Sequence, residues 1–129
     1  MKLSNILYLL SSLWLLLCGF FILPLGFSLY EKDGLHFLYL FQMIGLGGVS
    51  LFLRFLTKKP SEFLIREAFL TVTLCWVTFS FFGAIPFMVS GYIPSLTDAF
   101  FETMSGFTTT GATILKDIEA LPKSLLLWR

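Results

Sequence analysis

The sequence predicts an all-α membrane protein: three transmembrane helices, then a re-entrant half-helix with an extended loop, then the start of a fourth helix. Its composition is 57% hydrophobic and only 13% charged, whereas a soluble domain is about 45–50% apolar and about 25% charged. The apolar residues form long runs that lack the polar face of a soluble helix. The formal net charge of +1 gives no reason to expect a nucleic-acid partner, so the lipid bilayer is the expected environment.

Three apolar segments are long enough to cross a hydrocarbon core of about 30 Å at a rise of about 1.5 Å per residue. They run from about Ile6 to Leu29, from about Leu35 to Leu56 and from about Ala68 to Val89. The first run exceeds the roughly 7–15 residues of a signal-peptide core. We therefore interpret it as a transmembrane helix.

The polar connections between these segments predict how the helices meet. Residues 31–34 form a short turn, so the first two helices should make an antiparallel hairpin. Pro24 should bend the first helix, and Pro60 prevents a continuous helix between the second and the third. We expect residues 62–67 to lie amphipathically at the membrane surface.

The basic residues predict the orientation of the chain. The second connection is flanked by Arg54, Lys58, Lys59 and Arg66, whereas the first contains only Lys32. Because cytoplasmic loops carry an excess of Lys and Arg, the second connection and the N-terminus should be cytoplasmic. The third helix then brings the chain to the outer side.

A helix that is too short to cross the membrane follows the third span. Ser95 and Asp98 have the spacing of a capping box, and a carboxylate there interacts favourably with the helix dipole. From Thr97 to about Gly106 this helix would reach only ~15 Å, and Gly106 should end it. Non-helical backbone at membrane depth is tolerated only inside protein or along a water-filled cavity. A re-entrant loop is therefore expected.

The loop after this half-helix has the composition of a cation filter. Thr108, Thr109 and Thr110 are β-branched and favour extended backbone, and Gly111 permits torsions that direct a carbonyl inward. Backbone carbonyls can replace the hydration shell of a cation, and the negative pole of the half-helix would face that cation. The sequence Thr-Thr-Thr-Gly alone is also typical of an ordinary loop.

The residues from Phe100 to Thr113, FFETMSGFTTTGAT, resemble the first pore loop of bacterial TrkH potassium uptake proteins. The resemblance extends to the whole chain, including Arg66-Glu67 and residues 84–87. The two helices before the pore unit indicate the Trk branch of the superfamily rather than its Ktr relatives, which begin directly with the pore unit.

The resemblance implies a filter built from four helix-loop-helix units of one polypeptide. The carbonyls of Thr109, Thr110 and Gly111 would then bind potassium, which is the substrate, and no covalent cofactor is expected. Residues 1–57 would be two N-terminal helices, residues 58–67 a cytoplasmic linker, and residues 68–129 an incomplete first unit that ends at the start of a fourth helix. Three filter strands are missing, so we expect a fragment that is inactive alone.

The same resemblance implies several partners for the whole protein. These are the remaining three pore units, a second copy in a homodimer, and a cytoplasmic nucleotide-binding subunit of the TrkA kind. The expected location is the bacterial inner membrane, as a multi-pass protein.

Several other residues allow two interpretations. Glu102 is either an ion-attracting carboxylate or a brace that accepts hydrogen bonds from backbone amides of the loop, and we favour the brace. His36 is interpreted as an interfacial histidine rather than a metal ligand, and Asp98 as part of a helix cap. Packing roles are expected for Trp14, Trp76, Cys18, Cys75, Gly45, Gly47 and Gly48.

Two other functional classes compete with a pore. A small helical membrane protein could bind a partner through the glycine-rich second helix, in which case Gly45 and Gly48 would matter more than Gly111. A membrane enzyme ranks lowest, because the sequence has no nucleophile with a base, no paired metal ligands and no nucleotide-binding loop.

Overall fold

Apolar helices make up most of the computed structural model, which describes residues 2–60 and 62–129. The helices of this part are α1 (Leu3–Phe20), α2 (Ile22–Glu31), α3 (His36–Leu56), α4 (Ile65–Val89), α5 (Leu96–Phe107) and α6 (Lys123–Trp128). Three spans are long and apolar enough to cross a membrane: Leu3–Glu31, His36–Leu56 and Ile65–Val89. The all-helical class and the three spans are therefore confirmed. Ser61, within the predicted linker, lies outside the described residues.

The first span is interrupted at Phe21, between the end of α1 and the start of α2. The N–H of Phe21 donates to the carbonyls of both Cys18 and Leu17, at 3.2 and 3.3 Å. Pro24 has no N–H with which to continue the ladder to Phe20. The helix is thus interrupted about one turn before Pro24, at the place where the proline was predicted to bend it; the bend itself stays a prediction.

The third span begins earlier than the sequence suggests, at Ile65. Glu67 is buried in its first turn, where its carboxylate accepts from the N–H of Lys2 at 2.6 Å and from Asn5 Nδ2 at 2.9 Å. Residues 65–67 therefore belong to α4, whose start this carboxylate fixes against the start of α1. Residues 62–66 are exposed, and their expected position at the membrane surface stays a prediction.

The core forms where α1 packs against α3 and α4. Trp14 donates from Nε1 to Thr78 Oγ1 at 3.0 Å and meets the ring of Phe82 edge to face. Its packing role is confirmed. Trp76, in contrast, is 41% exposed, and its packing role stays a prediction.

The small residues of the spans differ in what they contact. A Cβ at Gly47 would lie 3.5 Å from Cys18 Sγ, whereas one at Gly45 or Gly48 would meet no atom within 4 Å. Gly47 therefore faces α1, and the packing expected of Gly45 and Gly48 is not made with any part of the chain that the structure describes. Cys18 and Cys75 are half-buried free thiols.

The last two helices bring the predicted loop against the bundle. Helix α5 packs on α4 so closely that a Cβ at Gly83 would overlap Thr103 Cγ2. Helix α6 packs on α2, where the ring of Trp128 stacks on that of Phe21 with centroids 4.0 Å apart. Trp128 Nε1 also donates to the Gly83 carbonyl at 3.0 Å. The two helices therefore hold the two ends of the loop against α4 and the first span.

Candidate functional site

Helix α5 begins with the predicted cap. Ser95 has extended torsions, and its Oγ accepts the N–H of Asp98 at 3.5 Å. Asp98 lies in the first turn, where its charge complements the helix dipole. At 12 residues the helix is about 18 Å long, well short of a hydrocarbon core of about 30 Å.

Helix α5 ends differently from the prediction, at Phe107 rather than at Gly106. The N–H of Thr110 donates to the Ser105 carbonyl at 3.0 Å, and that of Thr109 to the Gly106 carbonyl at 3.1 Å. This pair of bonds is a Schellman motif, in which the residue after the cap is left-handed and usually glycine. Here that residue is Thr109.

Gly106 has a different role from the one predicted. It lies inside the last turn of α5, where a Cβ would come within 2.7 Å of the carbonyl oxygen of Arg129. The glycine therefore lets the end of α6 approach α5.

The backbone of the loop departs from the predicted extended conformation. Thr108 has φ −83° and ψ 1°, and Thr109 has φ 57°. Positive φ in a β-branched residue is an outlier that costs on the order of 1–3 kcal/mol. Thr110 keeps a negative φ and Gly111 has φ 74°, so the sign of φ alternates along these four residues.

Threonine and serine hydroxyls fix this backbone. Thr108 Oγ1 donates to the Met104 carbonyl at 2.7 Å and lies 2.8 Å from Thr110 Oγ1, while Ser105 Oγ donates to the Ala112 carbonyl at 2.7 Å. Within residues 2–60 and 62–129, the carbonyls of Thr109, Thr110 and Gly111 accept no hydrogen bond. Three consecutive carbonyl groups are thus free to bind a ligand.

Glu102 braces the far side of the loop. Its carboxylate, almost fully buried, accepts from the Ile114 N–H at 3.1 Å and from Thr113 Oγ1 at 2.8 Å. The bracing interpretation is confirmed. The carboxylate also forms an ion pair with Arg129 Nε, which sequence reasoning missed. The sequence did contain a signal for this ion pair, because Glu102 and Arg129 are each an ionisable residue in a largely apolar segment.

A cavity of about 160 Å³ lies beside Thr109 and Gly111, two of the three residues with free carbonyls. Its lining consists of Glu102, Ser105, Gly106, Thr109, Gly111, Ala112 and Arg129. This is large enough to hold water. Because the charges of Glu102 and Arg129 are paired, main-chain oxygen atoms are the groups available to a cation.

The other candidate residues lie away from this loop. His36 begins α3, and its buried Nδ1 has no hydrogen-bond partner among the described residues. In the same part of the chain, no group of three His, Cys, Asp or Glu side chains is close enough to hold a metal ion. The loop is therefore the strongest candidate for the site.

Comparison with known proteins gives results that agree with one another. The model of the TrkH family, described as a cation transport protein, matches residues 32–129. The TrkH potassium uptake protein of the Trk system in Escherichia coli K12 is 47% identical over 74 residues, which are 56% of this chain and 15% of that protein. The TrkI potassium uptake protein of Halomonas elongata is 38% identical over 128 residues, covering 98% of this chain and 26% of that protein.

A solved structure is similar over nearly the whole chain. The crystal structure of the potassium transporter TrkH from Vibrio parahaemolyticus superimposes with a TM-score of 0.89 and 30% identity, covering 99% of this chain and 28% of that one. The chain thus spans about a quarter of the length of the relatives that it matches throughout. With its family model matched over residues 32–129, this multi-pass membrane chain belongs to the TrkH family of cation transport proteins.

Proposed function

We propose that this chain supplies one strand of a potassium selectivity filter in a potassium uptake protein. The ligands are the backbone carbonyls of Thr109, Thr110 and Gly111. The observation that carries the proposal is that these three consecutive carbonyls accept no hydrogen bond within the described residues. A row of such oxygens can replace the hydration shell of a cation without a fixed charge.

The alternating backbone supports this assignment. In a strand, consecutive peptide groups point to opposite sides. In consecutive residues of opposite handedness, the N–H groups line up on one side of the backbone, and the carbonyls line up on the other. The φ angles of −83° at Thr108, 57° at Thr109 and 74° at Gly111 fit this alternation of handedness. Carbonyl oxygens aligned in this way could bind a row of cations.

The local electrostatics also favour a cation. Helix α5 ends at Phe107, directly before the loop, and its C-terminus carries about half of a negative charge. Among the described residues, the one basic side chain that lines the adjoining cavity belongs to Arg129, which is paired with Glu102. The positive charge nearest to the free carbonyls is thus already compensated.

The proposed topology places the loop inside the membrane from the outer side. Helix α5, about 18 Å long, would enter the bilayer, and the loop would return as a re-entrant segment before α6 starts to cross. Basic residues near the second connection support a cytoplasmic N-terminus. Residues 1–57 would form the N-terminal hairpin, residues 58–67 the cytoplasmic linker, and residues 68–129 part of the first pore unit.

The whole protein would complete the filter with three further strands. Relatives named as potassium uptake proteins of the Trk system support potassium as the ion. The family resemblance further suggests a homodimer in the bacterial inner membrane, with a TrkA-like nucleotide-binding subunit on the cytoplasmic side. One strand cannot close a coordination ring, so this chain alone should not transport selectively.

The test compares two glycines with similar geometry. Gly111 and Gly91 have φ of 74° and 80°, and a Cβ at either would meet no atom within 4 Å. In a full-length protein that carries this chain, Gly111→Ala should reduce growth at low potassium by about tenfold or more, which lies within the roughly 5- to 150-fold typical of coupled effects. Gly91→Ala imposes a similar backbone strain away from the filter, and cells that carry this variant should grow normally. Normal growth of Gly111→Ala at equal protein level would refute the assignment.

A further inference from the structure

The loop that follows the proposed filter strand is held at few points, which include the packing of Leu115 and Leu121 against the core. Between Gly111 and Pro122 the backbone is non-helical and most residues are exposed. Glu102 holds it near Thr113. Its other end is the start of α6, so the position of α6 must influence the path of the loop.

A hydrogen-bond network around Asp33 holds the start of α6. The Asp33 carboxylate accepts from Ser124 Oγ on α6, from Ser28 Oγ on α2 and from the Leu35 N–H at 3.1 Å. The Tyr39 hydroxyl on α3 donates to Ser124 Oγ at 3.3 Å. Both serines and Tyr39 are fully buried. One carboxylate thus joins α2, α3 and α6.

A second contact, an ion pair between the start of α6 and the end of α2, is exposed to solvent. Lys123 Nζ is 3.0 Å from Glu31 Oε2, and the lysine side chain is 65% exposed. Exposed ion pairs of this kind contribute little. The buried network around Asp33 is therefore the stronger of the two polar attachments of α6 to the N-terminal hairpin, beside the apolar stacking of Trp128 on Phe21.

Helix α6 connects this attachment to the filter loop. It runs from Lys123 to Trp128 and is followed by Arg129, which is paired with the Glu102 carboxylate. That carboxylate accepts from Thr113 and Ile114 in the loop. Since close-packed interiors transmit small displacements, a shift at Ser124 should reach the loop through these contacts.

We propose that Asp33 is a positioning residue for ion discrimination: through Ser124 and α6 it fixes the path of the filter loop. The inference rests on the proposed function. It assigns the N-terminal hairpin a role in selectivity although the hairpin contributes no filter oxygen. Binding sites depend on supporting contacts that hold their ligands in place, and here those contacts come from an element outside the pore unit.

The test uses two matched serines. Ser124→Ala and Ser28→Ala each remove one buried hydroxyl that donates to the same carboxylate, but only Ser124 lies on α6. Initial rates of rubidium and sodium uptake are measured in proteoliposomes that contain the full-length protein. Ser124→Ala and Asp33→Asn should raise the sodium-to-rubidium ratio about fivefold or more, as expected for coupling between two sites. Ser28→Ala should change it by less than about twofold.

The outcomes separate this inference from the proposed function. If the unaltered protein takes up no rubidium, the proposed function fails. If uptake is selective and Ser124→Ala keeps the original ratio, the positioning role is overturned. Equal changes in the two serine variants also overturn it, because they would indicate general loosening. If Asp33→Asn does not reach the membrane, the two serine variants decide the question.

Discussion

Two buried glutamates perform different tasks with similar chemistry. Glu67, at the start of α4, accepts from the neutral donors of Lys2 and Asn5 and joins two transmembrane helices. Glu102, in the half-helix, accepts from the loop and pairs with Arg129. The first stabilises the helix bundle and the second sets the path of the candidate site. Both carboxylates are structural, but of the two it is Glu102 that bonds to the loop of the candidate site.

The largest effect should come from removing the charge of Glu102. Glu102→Gln leaves Arg129 as an uncompensated cation beside the proposed filter, and breaking a buried ion pair costs about 3–5 kcal/mol. We expect a lower thermal midpoint in detergent together with strongly reduced potassium uptake per folded molecule. The double variant with Arg129→Gln should recover part of the stability.

Glu67→Gln is the matched control for that experiment. It should lower the thermal midpoint, because the new amide cannot accept from all the donors now bound, but uptake per folded molecule should stay normal. Thermal unfolding and potassium uptake are measured on the same preparations. Equal loss of uptake per folded molecule in Glu67→Gln and Glu102→Gln would remove the distinction between the two residues.

A smaller effect concerns the pH dependence of the Asp33 network. Burial raises the pKa of the Asp33 carboxyl, but hydrogen bonds from Ser124, Ser28 and the Leu35 N–H outweigh burial and hold its pKa below the ordinary value of 3.8. A carboxyl whose pKa is lower in the folded state adds stability above its unfolded pKa and loses it as the pH falls through the folded value.

The measurement is the thermal midpoint in detergent between about pH 6 and about pH 3. The unaltered protein should lose more stability across this range than Asp33→Asn, which lacks the titrating group. Identical pH profiles for the two proteins would show that the network around Asp33 adds no pH-dependent stability.

The smallest effect is expected at the glycines of α3. A Cβ added at Gly45 or Gly48 would meet no described atom within 4 Å. Gly45→Ala should therefore leave both folding and potassium uptake within about twofold of normal, as for a typical surface change of at most about 0.5 kcal/mol. A larger loss of uptake than that of Gly111→Ala would favour the alternative in which α3 is a partner-binding surface.

Sequence patterns predicted the helices correctly where the residues that determine a helix lie within the helix itself. The three spans follow from the length of apolar runs, and the start of α5 follows from Ser95 and Asp98, which lie within one turn. The start of α4 was misplaced because it depends on Glu67 meeting Asn5, 62 residues away. Propensities carry no information about such a contact.

The candidate site was predicted in outline but not in geometry. Gly106 was expected to end α5, yet its lack of a side chain serves the approach of Arg129. The residue with left-handed torsions is instead Thr109, although β-branched residues strongly disfavour a positive φ. Strained torsions persist only where the surroundings enforce them, and here those surroundings are the hydroxyl contacts of Thr108 and the bonds of the Thr109 and Thr110 N–H groups to α5. Residue propensities do not report such contacts.

The most direct test of the central claim is to locate the bound ion. Thallium(I), a heavy substitute for potassium, is soaked into crystals of a full-length protein that carries this chain, and its anomalous signal is mapped. The account predicts a peak beside the carbonyl oxygens of Thr109, Thr110 and Gly111, which disappears in Gly111→Ala. A peak at the Glu102 carboxylate with none beside those carbonyls would contradict it.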